Sequence, residues 1–85
     1  MKIKVKVKAP KIEEIPIQTD FIRLDALLKF AVVTETGGEA KSVILDGLCR
    51  LNGEICTQRG RKIRPGDQVE IFNRILKVTD GKDAL

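Results

Sequence analysis

The sequence predicts an α+β domain, and three observations carry that prediction. Residues 2–8 alternate strictly between apolar residues and lysines, the period of a half-buried strand. Two stretches between residues 23 and 47 place apolar side chains at helical spacing, and from Leu48 onward the pattern returns to short strands broken by turn dipeptides. The chain has 85 residues, enough for one core and too few for two.

In the first strand Ile3, Val5 and Val7 face one side, and Lys2, Lys4, Lys6 and Lys8 the other. Lysines so placed protect a sheet edge from pairing with other chains, or track a nucleic-acid backbone at about 6.6 Å per step, from roughly 3.3 Å per residue. Ala9-Pro10-Lys11 turns the chain. Residues 14–18 form a second short strand, which Pro16 confines to an edge, so residues 1–20 are expected to be an N-terminal β-hairpin.

Leu24, Leu27, Leu28 and Ala31 recur at i, i+3, i+4 and i+7, which predicts a helix over about residues 23–32. After the break at residues 34–38, Ala40, Val43, Ile44 and Gly47 repeat that spacing on a second, shorter helix. Thr36 and Glu39 have the form of a capping box, and Gly47 suits the left-handed residue that ends a helix. Residues 49–51 and 54–57 flank Asn52-Gly53, which predicts a hairpin with a type I′ turn. Pro65-Gly66 marks a further turn, residues 68–72 a strand with Val69 and Ile71 inward, and residues 75–78 one more. The main domain is expected to span residues 21–79, with residues 80–85 as a frayed tail.

The 16 basic residues exceed the 12 acidic ones, giving a formal charge of +4, which favours polyanionic partners. The two cysteines, Cys49 and Cys56, cannot make a multi-disulfide framework, so a reducing, cytoplasmic location is expected. Lysines at 4, 6 and 8 interrupt any apolar run, leaving neither a signal peptide nor a membrane span. Without histidine, and with no carboxylate pair or nucleophile beside an evident base, catalysis finds no support. Cys49 and Cys56 are expected to be small buried hydrophobes and do not complete a four-ligand zinc site, so neither a metal nor a cofactor is expected. A Walker-type phosphate loop is also absent.

The candidate binding residues lie in two places. Residues 57–67 carry Arg59, Arg61, Lys62 and Arg64 with no acidic residue before Asp67; such a loop neutralises phosphates, with arginine forks donating paired hydrogen bonds. Gly37 and Gly38 open the second helix, where free N–H groups and the helix dipole can receive an anion, and Lys41 follows one turn later. Arg50 extends the surface if it points away from the core.

The order of helix, glycine corner, helix, then Gly47-Leu48-Cys49-Arg50-Leu51-Asn52-Gly53, and later Arg64-Pro65-Gly66-Asp67, resembles the αL-motif RNA-binding domain named after the fourth protein of the small ribosomal subunit. Leu27-Leu28-Lys29, Gly37-Gly38-Glu39-Ala40-Lys41, Asn52-Gly53-Glu54 and residues 59–67 look like its small stand-alone bacterial members of the YaaA and YbcJ type. The likeness runs from about residue 22 to 72. It implies two helices forming an αL corner packed on a small, mostly antiparallel sheet, with the N-terminal hairpin as an addition outside the shared pattern. It also implies structured RNA, with ribosomal RNA as the expected target, as the partner, with Lys41 facing it from the second helix and Arg59, Arg61, Lys62 and Arg64 flanking. Thr36-Gly37 stands where many members carry a Ser-Arg pair, so that contact is not carried over. The expectation is a non-catalytic RNA-binding protein, recognising shape and phosphates, that takes no small-molecule substrate. The alternative is a ubiquitin-like interaction adaptor; a sulfur or conjugation carrier would need a C-terminal diglycine, whereas the chain ends Gly81-Lys82-Asp83-Ala84-Leu85.

Overall fold

The computed structural model describes residues 10–81. The lysine-rich first strand of the expected hairpin lies outside them. The described chain runs β1 (Lys11–Ile17), β2 (Ile22–Arg23), α1 (Leu24–Phe30), α2 (Gly37–Leu45), β3 (Arg50–Leu51), β4 (Glu54–Ile55), β5 (Lys62–Ile63), β6 (Gln68–Ile71) and β7 (Arg74–Asp80). Five strands form one sheet in the order β1-β7-β6-β3-β4, and β2 pairs with β5 in a separate two-stranded ribbon. Every pairing is antiparallel except β1 with β7, which is parallel from Lys11 opposite Arg74 to Ile17 opposite Asp80. The fold is thus the expected α+β arrangement of two helices on a small, mostly antiparallel sheet.

Alternation along the strands builds the core. Ile15 and Ile17 of β1, Val69 and Ile71 of β6, and Leu76 and Val78 of β7 are buried, while their strand neighbours face outward. Leu24, Leu27 and Leu28 of α1 and Ala40 and Ile44 of α2 join the same core and are completely buried. Each buried leucine contributes about 1.5–3 kcal/mol of apolar burial. Cys49 and Cys56 are buried free thiols, the small hydrophobes the sequence implies. Burial, with Cys56 adjoining, pushes the Cys49 thiol up to about 11, which keeps it protonated at neutral pH. Pro16 lies in β1, which ends the order of described strands, the edge position a proline tolerates.

Both helices end in the same way. In α2 the Gly47 N–H donates to the Ile44 carbonyl at 3.0 Å and the Leu48 N–H to the Val43 carbonyl at 3.2 Å, with Gly47 at φ 76°. This is a Schellman motif, with glycine in the left-handed position. In α1 the Val32 N–H donates to Lys29 O at 3.0 Å and the Val33 N–H to Leu28 O at 2.8 Å, but the left-handed residue is Val32, at φ 57°. Helix α1 therefore stops at Phe30, short of the expected residue 32, because Val32 turns the chain despite its branched side chain.

The hairpin at Asn52-Gly53 has φ values of 51° and 90°, as a type I′ turn requires. A second hairpin joins β6 to β7 through Phe72 and Asn73, at φ 50° and 63°. The expected strand over residues 68–72 consequently ends at Ile71, and Phe72 occupies a turn position normally left to glycine or asparagine. Arg74, at the start of β7, ties the layers together. Its Nε and Nη2 donate to the Glu13 carboxylate at 2.5 and 2.7 Å, and Nη2 also donates to the Ala31 carbonyl at the end of α1, at 2.8 Å.

Replacing Val32 by glycine should relieve left-handed strain on an exposed site and raise stability by up to about 1 kcal/mol, whereas Gly47→Ala should lower it by about 1 kcal/mol. Denaturant midpoints of the two variants should move in opposite directions. Hydrogen bonding from Arg74 holds the Glu13 carboxyl below its ordinary 4.5, so its contribution is complete above that pH and is lost as pH falls through the lowered value. Glu13→Gln should be less stable than the parent at pH 7, and the two unfolding curves should converge as pH falls below 4.5.

Candidate nucleic-acid interface

The basic stretch is not wholly a loop. Lys62-Ile63 forms β5, paired with β2 so that Ile22 opposes Ile63 and Arg23 opposes Lys62. Ile63 is completely buried, and Lys62 and Arg64, with Arg23 of β2 and Phe21 just before it, lie on the exposed face. The Lys62 Nζ sits 4.8 Å from the centroid of the Phe21 ring and the Arg64 guanidinium 5.9 Å from it. Arg23 Nη2 donates to Asp25 Oδ2 at 3.1 Å, and Gly60 lies close enough that a Cβ there would be 3.8 Å from the same nitrogen.

The loop is fixed by its main chain. The first turn of α1 has no side-chain cap from Arg23; instead the Leu24 N–H donates to the Arg61 carbonyl at 2.9 Å and the Asp25 N–H to the Arg59 carbonyl at 3.1 Å. Two donors that a helix start leaves unpaired are thereby satisfied by the basic loop. The carbonyls of Arg59 and Arg61 face inward, while both side chains remain exposed. Gln58, Gly60, Arg61, Lys62, Arg64 and Asp67 line a cleft of about 530 Å³.

Residues 64–67 hold the base of this loop. The Asp67 N–H donates to the Arg64 carbonyl at 3.0 Å with Gly66 at φ 101°, a type II turn with Pro65 at its second position. Asp67 Oδ2 accepts from the Arg64 N–H at 2.9 Å and Oδ1 from Asn52 Nδ2 at 3.1 Å, while Asn52 Oδ1 accepts from the Gln68 N–H at 3.0 Å. The one acidic residue of the stretch is thus engaged in structure.

At the opening of α2, Thr36 Oγ1 accepts from the Glu39 N–H at 3.1 Å, and Glu39 Oε1 accepts from Glu35 N–H at 2.8 Å. The expected capping box is present in a form that reaches one residue further back. Gly37 and Gly38 are exposed, and neither has a positive φ. A Cβ at Gly37 would meet nothing within 4 Å, so backbone geometry does not demand glycine there. Lys41 is exposed one turn on. Arg50 points away from the core, onto the sheet face carrying Glu70, its partner in register, and lines a different cleft from the loop cations.

Residues 15–79 match the family model described as the S4 domain. The chain belongs to the S4 domain family. Of 57 aligned residues, 42% are identical to those of "Probable ribosome maturation protein RlbA" of Bacillus subtilis (strain 168), an alignment covering 67% of this chain and 80% of that protein.

In this S4 domain the structure brings Arg59, Arg61, Lys62 and Arg64 onto one continuous segment and adds Arg23 and Phe21, which sequence reasoning missed. Arg23 reads as the first residue of a helix, and a two-residue ribbon is too short to show a period of two. The register of Ile22 with Ile63 makes the grouping visible. Among the described residues, no three His, Cys, Asp or Glu side chains are placed to hold a metal ion, and no helix is long and apolar enough to cross a membrane.

Asp67→Ala should cost about 1 kcal/mol, because it removes two exposed hydrogen bonds to a charged carboxylate at once, one of them from a main-chain N–H. Amide exchange at Arg64 should accelerate by more than that at the core strands.

Proposed function

We propose that this S4 domain is a non-catalytic cytoplasmic protein that binds structured RNA in a ribosome-related setting, either ribosomal RNA or an assembly intermediate. The observation that carries this reading is the orientation of the basic loop: its carbonyls cap α1 and its cations face solvent. A surface so built meets phosphates without rearranging its backbone, which lowers the ordering cost of binding. The similarity to the Bacillus subtilis protein named a probable ribosome maturation protein supports the choice of target.

Arg59, Arg61, Lys62 and Arg64 make the phosphate contacts, and their salt-dependent capture of RNA supplies most of the affinity. The free N–H groups of Gly37 and Gly38 with Lys41 set the register on the backbone, and Arg50 contributes from the margin. Glu35 and Glu39 beside the glycines temper the anion affinity of that corner, so the loop dominates.

The triple variant Arg59→Ala, Arg61→Ala, Arg64→Ala keeps the main-chain caps and should unfold at the parent's denaturant midpoint. Its affinity for structured ribosomal RNA should fall at least tenfold, and the slope of log K against log salt should flatten by about two units, from roughly 0.7–0.9 per lost phosphate contact. Unchanged affinity in the folded variant would rule out this surface.

A further inference from the structure

Phe21 is one of three aromatic residues in the chain, and it does not lie in the core. It is 37% exposed, three residues before the completely buried Leu24, and its neighbours on the ribbon face are cations. Lys62 and Arg64 lie within reach of its ring, and Arg23 is two residues along the same strand face, about 6.6 Å away at roughly 3.3 Å per residue. An aromatic ring set among cations offers a nucleotide a π-face for its base and positive charge for the phosphates on either side. Continuous A-form duplex keeps its bases stacked inside and presents only sugars, phosphates and groove edges, so the ring would gain nothing from it.

We infer that Phe21, with Arg23, Lys62 and Arg64, seats one unpaired nucleotide, so that the protein prefers RNA carrying a bulged or looped-out base over uninterrupted duplex. This rests on the RNA-binding reading above and specifies which feature of the RNA the ribbon meets. The base stacks on Phe21, taking the ring face that Lys62 and Arg64 overlie, and those two cations turn to the flanking phosphates, with Arg23 beside them on its Asp25 partner. The loop cations Arg59 and Arg61 supply attraction common to every RNA; the ribbon supplies the discrimination.

The test compares two RNA stems of equal length, one with a single bulged adenosine and one fully paired, each titrated with the parent protein and with Phe21→Leu and Phe21→Trp. Leucine preserves apolar volume over the lysine and arginine stems but has no π-face. The parent should bind the bulged stem about five- to hundredfold more tightly, the range a base–aromatic stack supplies. Phe21→Leu should abolish that preference, losing more affinity for the bulged stem than for the paired one, and Phe21→Trp should retain it. The Phe21 ring-proton resonances of the parent should shift on adding the bulged stem and stay in place with the paired one, a readout independent of how well any variant folds. Equal affinity of the parent for both stems, or an equal loss for both in a folded Phe21→Leu variant, overturns the proposal and leaves the RNA-binding reading standing. Failure of the parent to bind either stem overturns that reading and this one with it.

Discussion

The bonds from the first turn of α1 to the carbonyls of Arg59 and Arg61 are the constraint on which the rest of the interface depends. A seven-residue helix has few internal hydrogen bonds, and isolated helices of this length are not stable in water. Its start is satisfied only when the loop folds over it, and the loop has a defined path only because the helix start fixes two of its carbonyls. Packing provides the driving force through Leu24, Leu27 and Leu28, and the caps choose the geometry. Because peptide groups rather than side chains do the anchoring, arginine is left free for another role at both anchoring positions.

The other end of α1 is held by still more distant sequence. Arg74 donates to the Ala31 carbonyl while forking onto Glu13, so the helix end, β1 and β7 meet at one guanidinium. The short helix is therefore clamped at both termini by bonds to residues more than thirty positions further along the chain than the groups they hold. This fits an element whose own propensity is insufficient and whose position determines where the basic ribbon lies.

Much of this was legible in the sequence, and the reasons are local. Thr36, Gly47, Asn52-Gly53 and Pro65-Gly66 each name their conformation through a specific φ or hydrogen bond, and all four turns and caps occur where those residues predict them. The leucine spacing identified α1, and the arginine run identified the loop. What escaped lacks a local signal. Val32 and Phe72 occupy left-handed positions that branched and aromatic residues disfavour, so the closing hydrogen bonds of α1 and the β6–β7 register override preference there. The β2–β5 ribbon is only two residues long on each side, and the pairing of β1 with β7 joins segments that share no turn. Phe21 and Arg23 became part of the candidate site only through that ribbon's register.

The parallel pairing of β1 with β7 also orders events during synthesis. Lys11 finds its partner at Arg74, 63 positions later from 74 − 11, so β1 emerges from the ribosome long before the strand it pairs with exists. The helices, the Asn52-Gly53 hairpin and the basic loop can assemble from contacts nearer in sequence, while β1 waits for β7 as partly apolar chain. Non-local pairing of this kind slows folding and leaves strand edges open to other chains in the interval. A nascent S4 domain of this design can complete its sheet only after translation has delivered Asp80, whereas the residues that anchor its basic loop have all been made by Asp67.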